Sequence, residues 1–79
     1  MFDELLQIIS DKFKIETVSF HMSETIEGVE RNIVFVIFNK IKDEHITGIY
    51  ILAKNSESEM KKELKNILNN GFSKPFKGV

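Results

Sequence analysis

The side chains able to do acid–base or ligand chemistry are few. His21 and His45 are the only imidazoles in 79 residues, and each stands beside the end of a predicted strand. No His-x-x-x-His, His-x-x-Glu or paired-carboxylate spacing on a predicted helix accompanies either of them, as a bound metal would require. The chain has no cysteine, which excludes a thiol nucleophile, a disulfide and a thiolate zinc site. A glycine-rich phosphate loop and a Gly-x-Ser-x-Gly elbow are absent, and nothing sets a nucleophile beside a base. So small a domain also has little volume for a water-excluding pocket. The expectation is a non-enzymatic chain with no catalytic residue, no metal and no cofactor.

What the sequence offers instead is charge and apolar surface. The formal net charge is −1, but that total is a cancellation. Residues 1–30 hold seven acidic and two basic groups, a net of −5, and residues 31–79 hold nine basic and five acidic, a net of +4. Glu24, Glu27 and Glu30 concentrate the acid in one polar stretch, suited to a basic groove on a partner protein. Lys61, Lys62 and Lys65, with Lys74 and Lys77 beyond them, concentrate the base and could meet phosphate.

The elements that must position these groups follow from periodicity. Phe2, Leu5, Leu6, Ile9 and Phe13 fall at helical spacing, with Asp3 and Glu4 at the start and Lys12 and Lys14 near the end, which predicts a helix over 2–13. Residues 15–22 alternate, Val18, Phe20 and Met22 against Thr17, Ser19 and His21, as a half-buried strand does. Residues 23–31 read as a polar loop turning at Gly28. Strands follow at 32–38 and 46–53, joined by a hairpin over 39–45. Ser56-Glu57-Ser58-Glu59 fits a capping box opening a second helix. Met60, Leu64, Ile67 and Leu68 form its stripe, and Asn69-Asn70-Gly71 stops it. The tail, 72–79, holds Pro75, two phenylalanines and two lysines.

The order α-β-β-β-α predicts one α+β domain over 1–79 with two layers, a three-stranded antiparallel sheet carrying both helices on one face. The other face of such a sheet is usually polar, and here it is not. Ile33, Phe35 and Ile37 alternate with Val34, Val36 and Phe38, and Ile49, Ile51 and Ala53 with Tyr50 and Leu52. Val34, Val36, Phe38, Tyr50 and Leu52 are the expected exposed patch, a surface for a protein partner or for a homodimer of back-to-back sheets. The competing expectation is that the tail, through Phe72 and Phe76, or the loop, through Ile26 and Val29, covers that face.

Two resemblances bear on function. The order of elements is that of the double-stranded-RNA-binding domain, and Lys61-Lys62-Glu63-Leu64-Lys65 resembles that family's Lys-Lys-x-Ala-Lys run. The resemblance implies a nucleic-acid-binding module contacting phosphate through those lysines. Electrostatics oppose it: Glu57 and Glu59 precede the lysines, the loop carries glutamates instead of Gly-Pro-x-His, and the first helix opens with Asp3-Glu4. The chain also resembles small phage-encoded inhibitors of the anti-CRISPR type in size, polarised charge, lack of catalytic residues and a helix, three-strand sheet, helix order. Eleven isoleucines and ten lysines against one alanine are the mix an AT-rich genome encodes. This second resemblance implies an inhibitor that occupies the surface of a bacterial effector.

The preferred expectation is therefore a binding protein of phage or mobile-element origin, with Glu24, Glu27 and Glu30 as its acidic contacts. The RNA-binding module comes second, and a small structural subunit or homodimeric adaptor third. The acidic amino terminus lacks a signal peptide's positive region. The longest apolar run, Ile33 to Phe38, is far below the roughly 20 residues that span a bilayer. Both point to the cytoplasm of a bacterial host with no membrane partner.

Overall fold

The computed structural model describes residues 2–79. Helix α1 runs Asp3–Phe13, followed by strands β1 Glu16–Ile26, β2 Val29–Lys42 and β3 His45–Lys54, helix α2 Glu57–Asn70 and a two-residue strand β4 Lys77–Gly78. The four strands form one antiparallel sheet in the order β1-β2-β3-β4. The α+β class and the antiparallel sheet agree with expectation, while the strand count does not. The tail supplies a fourth strand, pairing Gly78 with Gly48 and Lys77 with Ile49.

Both helices start and stop where local chemistry dictates. Ser56, in extended conformation, caps α2 by accepting the Glu59 N–H on its Oγ at 3.2 Å, satisfying one of the orphan donors of the first turn. Helix α1 has no side-chain cap. Phe2 precedes it and is buried, so packing anchors that end. Lys14 closes α1 in the left-handed region (φ 57°), its N–H donating to the Ser10 carbonyl. The last turn of α2 contains no basic residue; Lys12 supplies the cation from α1, its Nζ donating to the Leu68 carbonyl at 2.6 Å. That bond joins the helices and places positive charge at the negative end of the α2 dipole.

One cluster forms the core. Leu6 and Ile9 of α1 and Met60, Leu64 and Ile67 of α2 pack on Val34, Val36, Phe38, Tyr50 and Leu52, with Phe2 and Ile15 at the margin. Phe72 is the centre of an aromatic group at one end of this layer, with ring centroids 5.2 Å from Phe13, 5.1 Å from Phe38, 4.9 Å from Tyr50 and 4.9 Å from Phe76. Gly48 permits the tail to come this close, since a Cβ there would stand 3.2 Å from the Phe76 Cβ. The tail thus completes the helix-side layer and leaves the other face of the sheet open.

The polar stretch 23–31 is not a loop. Strands β1 and β2 pair continuously out to Ile26 and Val29, closing through Glu27 (φ 52°) and Gly28 (φ 78°). Two consecutive positive φ values are the signature of the type I′ hairpin turn, whose twist matches the strands. The β2–β3 turn repeats it with Asp43 (φ 52°) and Glu44 (φ 66°). Because β3 pairs with β2 only as far as Val34, the β1–β2 hairpin beyond that point is a two-stranded arm, exposed throughout residues 22–32. The arm makes the molecule long, 45 × 26 × 20 Å, with a radius of gyration of 13.6 Å against about 12 Å for a compact chain of this length.

Candidate protein-binding surface

Register decides which apolar set is exposed. The pairs Val18–Ile37, Phe20–Phe35 and Met22–Ile33 join β1 to β2, and Ile37–Ile51 and Phe35–Ala53 join β2 to β3. Residues paired across an antiparallel sheet share a face, so these side chains form three adjacent apolar rows. They lie on the face away from the helices, where Val18 is 51%, Phe20 40%, Met22 46% and Ile51 60% exposed. Phe20 and Phe35 stack there with centroids 5.0 Å apart.

This corrects the expected patch. Val34, Val36, Phe38, Tyr50 and Leu52 are buried in the core, because both helices lie against their side of the sheet. An open apolar face exists, but it consists of the alternate residues. Neither expected cover reaches it: Phe72 and Phe76 belong to the helix side, and Ile26 and Val29 are themselves exposed at the arm's tip, at 51% and 58%.

The rows bounding the apolar centre carry charge. At one end Glu16, Asn39, Ile49 and Lys77 are register partners across all four strands. At the other, Glu24 of β1 is the partner of Arg31 of β2. The open face therefore has an apolar centre with charged side chains at both ends.

Glu24, Glu27 and Glu30 all fall on the arm. Glu24 shares the open face, Glu27 occupies the turn, and Glu30, paired with Thr25, points to the other side and accepts the Ser23 hydroxyl at 3.3 Å. They surround the arm's end and form no single patch.

Lys61, Lys62 and Lys65 are exposed on α2 and line one shallow groove together with Glu57 and Ser58. Lys61 and Lys65 also border a second groove that includes Glu4 of α1. Phosphate approaching these lysines would pass carboxylates on two sides. The histidines are far apart: His21 pairs with Val34 and His45 with Lys42, eight residues along β2 and so about 26 Å at strand rise. His21 Nε2 lies 3.4 Å from a Glu57 carboxylate oxygen, both side chains being partly exposed. Among the described residues no three His, Asp or Glu side chains come together as a group able to hold a metal ion, and no helix is long and apolar enough to cross a membrane.

No protein-family model, no curated protein and no solved structure matches the chain.

Proposed function

We propose that the chain is a non-enzymatic protein-binding module that acts by occupying protein surfaces, in the manner of a small phage- or mobile-element-encoded inhibitor of a bacterial effector. The observation that carries this reading is the uncovered sheet face with its three apolar rows. Exposed apolar area of this kind favours association by roughly 25 cal/mol per Å² before the costs of binding are met, and a solvated monomer gains nothing from it. The arm adds a second contact. A lone two-stranded hairpin is marginal in water, and one with acid on both faces and at its tip suits insertion into a basic groove, where each face meets a wall.

The test is capture of bacterial proteins on the immobilised chain, with and without nuclease. The expected result is a protein retained after nuclease treatment, lost when Glu24, Glu27 and Glu30 are changed to lysine, and kept when Lys61, Lys62 and Lys65 are changed to glutamate. Capture that vanishes with nuclease or with the lysine reversals would establish the nucleic-acid module in its place.

A further inference from the structure

We propose that the free edge of β1 receives an extended segment of a partner protein as an added antiparallel strand, and that this segment carries a cation at each end of an apolar alternation. The inference rests on the reading of the chain as a protein-binding module, and it names the site and the chemistry of what binds there.

The backbone supplies the ladder. Strand β1 is the outer strand of the sheet and pairs with β2 from Glu16 to Ile26 without a shift in register. The residues flanking a two-residue type I′ turn form a hydrogen-bonded pair, and bonded pairs alternate with unbonded ones along an antiparallel ladder. Ile26 and Val29 are that first bonded pair, so the even residues of β1 direct their N–H and C=O groups to β2. Thr17, Ser19, His21, Ser23 and Thr25 turn theirs outward. Among the described residues no backbone bond from another segment reaches these groups. Edge strands are commonly closed to such pairing by lysine, proline or a bulge, and β1 has none of the three. The opposite edge is different: Lys74, Pro75 and Lys77 of the tail flank β3 at Ile49 and Ile51.

The side chains supply the selection. Glu16, Val18, Phe20, Met22 and Glu24 follow one another along β1 on the open face. On their inner side stand Asn39, Ile37, Phe35, Ile33 and Arg31 of β2, and on their outer side the sheet ends. Val18, Phe20 and Met22 are exposed there. Across the free edge these even residues would occupy unbonded pairs, where Cα atoms approach to about 4.5 Å and side chains meet most closely. An added strand therefore meets acid, three apolar residues and acid in alternation. Its complement has lysine or arginine at the first and ninth positions and apolar residues at the third, fifth and seventh. The same order rejects a second copy of β1, because the antiparallel register that aligns the three apolar residues sets Glu16 against Glu24 twice. The set reads alike from both ends, so the strand direction comes from the backbone, for which antiparallel pairing is the more stable.

A nine-residue peptide tests this on the full chain. It is blocked at both termini, with lysine first and last, valine at the third, fifth and seventh positions and threonine between. The peptide should bind saturably, and amide exchange at Thr17, Ser19, His21 and Ser23 should slow by about 10-fold or more, since only ladder formation protects them. Glutamate in place of both lysines should weaken binding about 10-fold, and Glu16→Lys with Glu24→Lys in the chain should reverse that preference. N-methylation at the fourth and sixth positions, whose N–H groups face β1, should weaken binding about 100-fold, and at the third and seventh, which face away, by less than about 5-fold. No binding, equal losses from the two methylated peptides, or protection that appears elsewhere overturns the added strand. Indifference to the charge changes overturns the basic flanks. Slowed exchange at the same amides in the concentrated chain without peptide would make a second copy the occupant and overturn the foreign strand. A peptide that fails on a chain still retaining a foreign protein through Ile37 would defeat the edge site and leave the binding-module reading intact.

Discussion

Phe20 and Phe35 are register partners on the open face, stacked with ring centroids 5.0 Å apart and planes 14° from parallel. A near-parallel pair at this separation is a favourable aromatic contact, worth about 0.5–1.5 kcal/mol beyond the area it buries. Here Phe20 is 40% exposed, and only its neighbours in the same face shelter the pair. The contact contributes less to the fold of one chain than to the shape of the surface it offers.

That difference can be measured. Phe38→Ala, in the core, should cost about 3–5 kcal/mol of folding stability. Phe20→Ala should cost the isolated monomer about 1 kcal/mol, with a coupling to Phe35 of about 0.5–1.5 kcal/mol in a double-mutant cycle. Urea unfolding at low protein concentration reads both. A Phe20→Ala loss as large as that of Phe38→Ala would mean the open face is part of the monomer's core.

The turn at Asp43-Glu44 holds two non-glycine residues at positive φ. Asp-Gly is among the preferred pairs for a type I′ turn, and glycine adopts the left-handed conformation without the Cβ clash. Glu44→Gly should therefore stabilise the fold by about 1 kcal/mol, seen as a higher urea midpoint with an unchanged slope.

Lys12 donates to the Leu68 carbonyl at 2.6 Å at a helix end that has no basic residue of its own. Lys12→Met keeps the apolar stem and removes the charge. The expected cost is about 0.5–1 kcal/mol, falling as salt rises, and the amides of the last α2 turn should exchange faster with solvent.

A Cβ added at Gly48 would stand 3.2 Å from the Phe76 Cβ of the tail. A branched side chain has no room there, so Gly48→Val should lift the tail and break the Gly48–Gly78 and Ile49–Lys77 pairing. Loss of amide protection in residues 76–79, with the helices still protected, is the expected pattern in hydrogen exchange.

These predictions rest on parts of the fold that were not equally legible in the sequence. Helix α2 was plain, because Ser56 and the Met60, Leu64, Ile67 stripe are local signals. The arm was hidden: Glu27-Gly28 makes a type I′ turn without the asparagine or aspartate that usually marks one, and the glutamates around it read as a solvated loop. The inversion of the open face has a deeper cause. Alternation in β1 tells which side of the strand is apolar, whereas helix placement decides which side is covered, and both sides of β2 are apolar. At an edge strand those two facts separated, leaving Thr17 and Ser19 half-buried toward the helices while Val18 and Phe20 face outward. The presence of an apolar surplus was readable from Ile33 to Phe38; the residues that display it were not.

The most direct test of the open face as the binding surface is retention of protein on the immobilised Ile37→Lys chain. The comparison is with wild type, in nuclease-treated bacterial lysate. Protein held by the wild type should be lost from the variant, while the Lys61, Lys62 and Lys65 reversals retain it. A variant that holds the same proteins as the wild type would show that the open face is not the binding surface.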